Sequence, residues 1–348
     1  MRAYPVLMRG QKLLCLILAF IVCPALPGVP CAYAGPDMQT AAEWEELVFR
    51  LKNDGLCNDA MAKGIRALPP PTSAPMGRKI KELYISRFVR PCPPPADAPK
   101  PKPVYVYPGV VTPENAAVCR AFLNEHRDAF KKMENEYGVP GDIAVALIFV
   151  ETRLGTSLGK NNVFHTLASM AETRRPEQLD MWLREINPPQ SRMDWLRETM
   201  RLRSDWAYKE LAAFIRYAEK NGLDPFSVPG SIYGAFGICQ FIPSSVAPYA
   251  ADGNGDGVID LFALDDALAS LASYLVKNGW KADLSRVGRH AVLRRYNRLD
   301  VYVNTIQALA DTVRGDPVGK PVITVGKHRA GAKTKGAPNK RENTRRPR

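Results

Sequence analysis

Glu151 follows eight uninterrupted apolar residues, Ile143 to Val150. A carboxylate at the end of such a run loses hydration, which favours its protonated form and pushes its pKa upward. Holding a proton near neutral pH is what a general acid needs in order to protonate a leaving-group oxygen, as in carbohydrate cleavage. The alternative local role is a helix-end carboxylate paired with Arg153. A second constellation, Asp252 to Asp260, places oxygen-bearing side chains at its first, third and fifth positions (Asp252, Asn254, Asp256), glycine at the sixth and isoleucine at the eighth. That is the front half of an EF-hand loop, which takes calcium through hard oxygen donors, with the carbonyl of Val258 at the seventh position. The twelfth position is Ala263 instead of glutamate, so a later acid, Asp265 or Asp266, has to close the loop; a metal-free Asx-rich turn is the alternative. Calcium held there would be structural, because a cation saturated by protein oxygens leaves little room for substrate.

Two further stretches carry polar groups in unusual surroundings. The run from Gly230 to Ser244 is rich in small residues that permit close backbone approach, with Ser231 and Gln240 able to hydrogen-bond a polar ligand. Tyr296, Asn297 and Tyr302 form an aromatic and amide cluster suited to sugar rings, although aromatics at helical spacing also serve as core.

The elements that must position these groups read as helices. Thr112-Pro113-Glu114 supplies an N-cap, a proline at the first helical position and an early acid. Val118, Phe122, Ala129, Met133 and Tyr137 then recur at helical spacing in one helix that Gly138 and Pro140 close. Ile143 to Val150, apolar on all sides, predicts a fully buried helix. Further helices fit Trp206 to Glu219, Asp265 to Asn278 and Leu299 to Val313, and no strand ladder is visible, so the fold class is mainly α. Upstream, Asp37 to Arg90 carries two short helical patterns around Trp44-Leu47-Val48-Leu51 and Ile80-Leu83-Tyr84-Phe88, an appendage set off by Pro91 to Pro108, an extended linker with eight prolines.

The 348 residues, 46% hydrophobic and 24% charged, exclude wholesale disorder. The apolar run Leu13 to Cys23 is too short to span a bilayer, which takes about 20 residues. With Arg2, Arg9 and Lys12 before it and Ala32-Tyr33-Ala34 after it, residues 1–34 read as a signal peptide, and the protein as exported to the periplasm. Neither Cys23 nor Cys31 follows a small residue, so no lipid anchor is expected. Of the four remaining cysteines, Cys57 and Cys92 are the preferred disulfide among three possible pairings, and Cys239 is expected as a buried thiol. The net charge of +13 is lopsided: residues 1–34 contribute +3, and residues 316–348, with ten Lys or Arg against Asp316 and Glu342, contribute +8. The nearly neutral body lacks a nucleic-acid footprint. The tail reads as disordered, either simply solvated or attracted to anionic envelope polymer.

Taken in order, Val150-Glu151-Thr152-Arg153-Leu154-Gly155, Gly159-Lys160, the Gly230 to Ser244 run, the Asp252 loop, Asn278-Gly279-Trp280 and Tyr296-Asn297 resemble the B-type lytic murein transglycosylases over about Thr112 to Asp311. The resemblance implies a lysozyme-like catalytic domain with an EF-hand-like calcium loop. It implies cleavage between N-acetylmuramic acid and N-acetylglucosamine in peptidoglycan, leaving 1,6-anhydro ends. By position it assigns the single acid/base to Glu151, glycan contacts to Ser231, Gln240, Tyr274, Tyr296, Asn297 and Tyr302, and structural calcium to Asp252, Asn254, Asp256, the Val258 carbonyl and Asp266. It also implies that glutamate protonates the glycosidic oxygen and then deprotonates the muramic acid 6-hydroxyl, the substrate N-acetyl group steadying the cation. The expected partner is the glycan strand, bound by a monomer; a non-catalytic peptidoglycan-binding scaffold is the alternative. The sequence departs from the family pattern in three places. Only Lys281 to Arg295 separates Gly279-Trp280 from Tyr296-Asn297, where the family has a small extra domain. Glu172 to Ser204 is longer than usual, as a lid or a packed helix pair, and His165 stands where the family often has an acid.

Overall fold

The structure, a computed structural model, describes residues 43–89 and 105–322. Residues 1–42 with the expected signal segment, most of the proline-rich linker with Cys92, and the chain beyond 322 lie outside the described residues. Those residues form a mainly helical fold: α1 (Glu45–Asn53), α2 (Asp59–Arg66), α3 (Ala74–Phe88), α4 (Pro113–Glu125), α5 (Arg127–Tyr137), α6 (Gly141–Thr152), α7 (Val163–Glu172), α8 (Asp180–Ile186), α9 (Met193–Lys220), α10 (Pro243–Tyr249), α11 (Leu264–Lys277), α12 (Arg286–Tyr296) and α13 (Asp300–Arg314). No helix among them is long and apolar enough to cross a membrane. One antiparallel pair, β1 (Asn161–Asn162) with β2 (Pro229–Gly230), aligns Asn161 with Gly230.

The apolar run before Glu151 forms the buried helix its composition predicts. Ten of the twelve residues of α6 are buried, against α13, α4, α5 and α11. Each end is pinned by polar side chains. At the start, Glu134 Oε1 accepts the Gly141 N–H at 2.8 Å, and Arg314 on α13 donates to Asp142. At the end, the hydroxyl of Thr152 donates to the carbonyl of Ile238 at 2.9 Å, and the chain leaves through left-handed Arg153 and Leu154. These contacts fix the axis on which Glu151 sits.

Several boundaries differ from the sequence reading. Thr112 does cap α4, accepting from Asn115 N at 3.2 Å, but the single helix expected as far as Tyr137 breaks at His126 (φ −106°, ψ 30°). The bend turns Phe130 and Met133 into the core while Val118 stays in solvent. The helix expected over Trp206 to Glu219 begins at Met193. Its added turns pack Leu196 and Met200 with Met76 and Ile80 of α3 and Leu179, with Trp182 and Trp195 at the margin. The long 172–204 stretch is therefore a packed second lobe. Its contact with α3 is close enough that a Cβ on Gly77 would lie 2.3 Å from the Trp182 ring.

The N-terminal segment is not an appendage. Trp44, Leu47, Val48 and Leu51 belong to the same core as α6, since an apolar helix face gains most by joining the largest core available. His165 anchors it: its Nε2 lies 3.1 Å from the carbonyls of both Pro69 and Pro70, and its ring meets Trp44 edge-on. The end of the linker also joins the body, Tyr107 N donating to Thr305 Oγ1 at 2.8 Å. At the other end, residues 316–322 are not free tail. The buried Asn304 side chain pairs with both backbone groups of Val322 at 2.9 Å each, and Asp311 accepts the Gly319 N–H at 2.9 Å, because buried polar groups require partners. The expected pairing of Cys57 with Cys92 lies outside the described residues, as Cys92 does. Cys239 is the expected buried thiol, its Sγ donating to the Ala267 carbonyl at 2.9 Å.

Candidate active site

Glu151 is the penultimate residue of α6, at the point where the buried helix reaches the surface. The hydroxyl of Tyr302, in the first turn of α13, donates to Glu151 Oε1. Burial pushes the Glu151 carboxyl up to about 7, and the Tyr302 hydrogen bond opposes that rise by favouring the ionised form. Tyr302 is itself almost wholly buried, which drives its phenol well above the ordinary tyrosine range, so at neutral pH it is a neutral donor. A tether of 151 residues separates the two, and the packing of α13 against α6 brings them together.

The Thr152 to Ile238 bond brings the Gly237–Gln240 turn beside the end of α6. Gly237 has φ +74°, and a Cβ there would meet the Leu261 carbonyl oxygen at 2.7 Å, so only glycine allows the turn to lie this close. Gln240 also takes a positive φ, and its Nε2 donates to the Gly237 carbonyl at 3.0 Å. On the other side of the turn Tyr296 donates its hydroxyl to the Cys239 carbonyl. Tyr274 stacks on Tyr296 edge to face at 4.9 Å and hydrogen-bonds the Arg295 carbonyl at 2.8 Å. Tyr249, not singled out from the sequence, extends this aromatic row at 4.5 Å from Tyr274.

The other predicted contacts are used locally. Ser231 is buried, and its Oγ accepts from Tyr233 N at 3.3 Å and Ala235 N at 3.0 Å, which leaves the O–H as the group it can offer a ligand. Asn297 ends α12, its Oδ1 accepting from Leu299 N at 3.2 Å. Sequence reading also missed Glu210, a buried carboxylate that accepts Ser244 N and Oγ at 2.8 Å each and so holds the start of α10; Pro243-Ser244 was the available signal.

The acidic loop is ordered by its own amides. Asp252 accepts Gly255 N at 2.6 Å and Gly257 N at 2.8 Å, and the Gly257 bond leads in holding its carboxyl below the usual aspartate range. Asp256 accepts Val258 N at 2.8 Å, and buried Asp266 takes Gly253 N at 2.7 Å and Asp260 N at 2.6 Å, joining the two ends of the loop. Among the described residues no three His, Cys, Asp or Glu side chains converge as a metal-binding group, and the loop carboxylates accept backbone amides. The donor set is nevertheless all oxygen and suits a hard cation.

The model of the transglycosylase SLT domain matches residues 93–290, more than half of the chain. The chain belongs to that family. Transglycosylase-domain relatives include the membrane-bound lytic murein transglycosylase B of Escherichia coli K12, 34% identical over 170 residues, which are 49% of this chain and 40% of that protein. The chain thus aligns with less than half the length of that curated relative. Among solved structures, the Escherichia coli lytic transglycosylase Slt35 in complex with calcium is similar at a TM-score of 0.56 and 20% identity, covering 80% of this chain and 95% of that one. SltB3 of Pseudomonas aeruginosa in complex with NAG-anhNAM-pentapeptide has a TM-score of 0.56 at 19% identity, covering 82% of this chain and 83% of that one. These two likenesses establish a shared fold.

Proposed function

We propose that this transglycosylase-domain protein cleaves the β-1,4 bond between N-acetylmuramic acid and N-acetylglucosamine in peptidoglycan and leaves 1,6-anhydro ends, with Glu151 as acid and then base. The observation that carries the reading is a carboxyl at the end of the buried helix α6, raised to about 7 by burial, with Tyr302 hydrogen-bonded to it. Hydrolytic glycosidases use two carboxylates, about 5–9 Å apart; one that titrates near neutrality can both give and take a proton. Protonated Glu151 donates to the glycosidic oxygen, and the bond to the anomeric carbon breaks. The Tyr302 hydroxyl stabilises the carboxylate left behind, which then removes the proton of the muramic acid 6-hydroxyl as that oxygen closes on the anomeric carbon. Atoms balance without water, and the carboxyl ends protonated, ready for the next strand. Ser231, Gln240, Tyr274, Tyr296 and Asn297 are the proposed glycan contacts.

Because the first step needs the protonated acid, kcat/KM on soluble glycan strands should hold below pH 7 and fall as pH rises through about 7. A rate still climbing between pH 8 and 9 would move the acid role to another group.

Calcium is the proposed structural ion, by analogy with Slt35, with Asp252, Asn254, Asp256, the Val258 carbonyl and Asp266 as the residues that would hold it. When bound it would supply a cross-link between the loop and α11. Millimolar calcium should raise the melting temperature by mass action on the native state, and Asp256→Ala should remove the gain. Melting curves that chelation leaves unchanged would speak for the metal-free turn. Export to the periplasm, action as a monomer and attraction of the basic chain end to anionic wall complete the proposal.

A further inference from the structure

The Ser231–Ala235 turn is held from outside the family-matched stretch. Internally it closes on itself: Ser231 N donates to the Ala235 carbonyl at 2.7 Å and Gly234 N to the Ser231 carbonyl at 3.0 Å. On one side it rests on α7, where a Cβ on Gly234 would meet Leu167 at 2.7 Å. On the other it meets α3. The Tyr233 hydroxyl donates to Glu82 Oε1 at 2.7 Å, and Lys79 lies 3.9 Å from the Tyr233 ring centroid and 2.9 Å from Glu82 Oε2. Glu82 is mostly buried, so this is a charge-assisted hydrogen bond largely shielded from water. Residues 79 and 82 precede residue 93, where the family match begins. The position of α3 is in turn set by the second lobe, through Met76, Ile80 and the close approach of Gly77 to Trp182.

We propose that Glu82 and Tyr233 are positioning residues for glycan binding, acting through the turn that carries Ser231. The inference rests on the reading of Ser231 as a glycan contact. The Ser231 oxygen is occupied by the amides of residues 233 and 235, so the direction of its remaining O–H donor depends on where those amides stand. The bond from Tyr233 to Glu82 fixes the residue that supplies one of them. Lys79 covers the ring and balances the charge of Glu82, which keeps the bond in place. The second lobe thereby becomes part of the support of the Ser231 turn, and variation in α3 becomes a route to altered glycan preference.

The test uses the full chain and the variants Tyr233→Phe, Glu82→Leu, Glu82→Gln and the double variant Tyr233→Phe/Glu82→Leu. Binding of an N-acetylglucosamine oligosaccharide is measured by calorimetry, and KM and kcat are measured on soluble glycan strands. Tyr233→Phe and Glu82→Leu should each weaken binding and raise KM about fivefold with kcat within about twofold, as expected when ground-state and transition-state binding are lost together. The double variant should be no worse than either single one, and Glu82→Gln, which keeps an acceptor, should recover part of the loss. Binding and KM within twofold of wild type in folded Tyr233→Phe would overturn the proposal, even if its melting temperature fell. Additive losses in the double variant would overturn it as well. If Glu82→Leu fails to fold, Tyr233→Phe, which deletes one oxygen, decides alone. A wild-type chain that binds the oligosaccharide but cleaves no glycan would sink the proposed activity while the binding data still judge this inference; one that binds nothing would sink both.

Discussion

Glu151→Gln should lower turnover of soluble glycan strands by about three orders of magnitude, the middle of the range for loss of a general acid and base. Glutamine is nearly isosteric and still accepts the Tyr302 hydrogen bond, so the loss isolates proton transfer. The fold should not suffer. Burial holds the wild-type carboxyl near 7, above its value in the unfolded chain, so ionising it costs stability as pH rises from about 4.5 through about 7. The neutral amide escapes that cost, and above pH 7 the variant should melt no lower than wild type and by sign higher. A dead variant that also melted far lower would point to a structural role for Glu151, and near-normal turnover would point to a different acid.

Gly159→Ala should produce the largest loss of stability from a single methyl group. Gly159 has φ +101°, and an added Cβ would stand 2.1 Å from the carbonyl oxygen of Gly230, a backbone atom that cannot rotate away. Relief requires either parting β1 from β2 or displacing the turn that begins at Ser231. Combined overlap and φ strain should cost about 3 kcal/mol or more, which for a chain of this size is roughly 5 °C in melting temperature. Gly222→Ala is the control. Its φ is +64° with nothing within 4 Å of an added Cβ, so it should cost only about 1 kcal/mol. Equal losses in the two variants would show that the Gly159 to Gly230 contact relaxes freely.

The parts of this arrangement that were legible in the sequence are those written in local chemistry. Eight apolar residues before a glutamate specify a buried helix with a desolvated acid, and Thr112-Pro113 specifies a helix start, because caps and burial patterns act over a few residues. Contacts at long range left no such mark. Nothing local to Tyr302 says that its hydroxyl reaches Glu151, and nothing local to Trp44 says that its helix joins the main core instead of standing apart. Helix α7 escaped notice because eight of its ten residues are buried, which erases the polar face that periodicity relies on. The Asp252 loop shows the opposite hazard. Its spacing is that of a calcium site, and its carboxylates accept the amides of their own turn, an order that a cation-holding loop and a metal-free turn share, so spacing alone cannot separate the two.

In the proposed reaction the attacking oxygen comes from the sugar and not from water. The most direct measurement is mass spectrometry of the fragments released when the purified protein digests murein. Muramic acid ends should appear as the 1,6-anhydro form, each lighter by one water molecule than the hydrolytic fragment, and Glu151→Gln should release almost none. Reducing muramic acid ends as the main product would contradict that reaction, because water would then be the nucleophile and a second catalytic group would have to activate it.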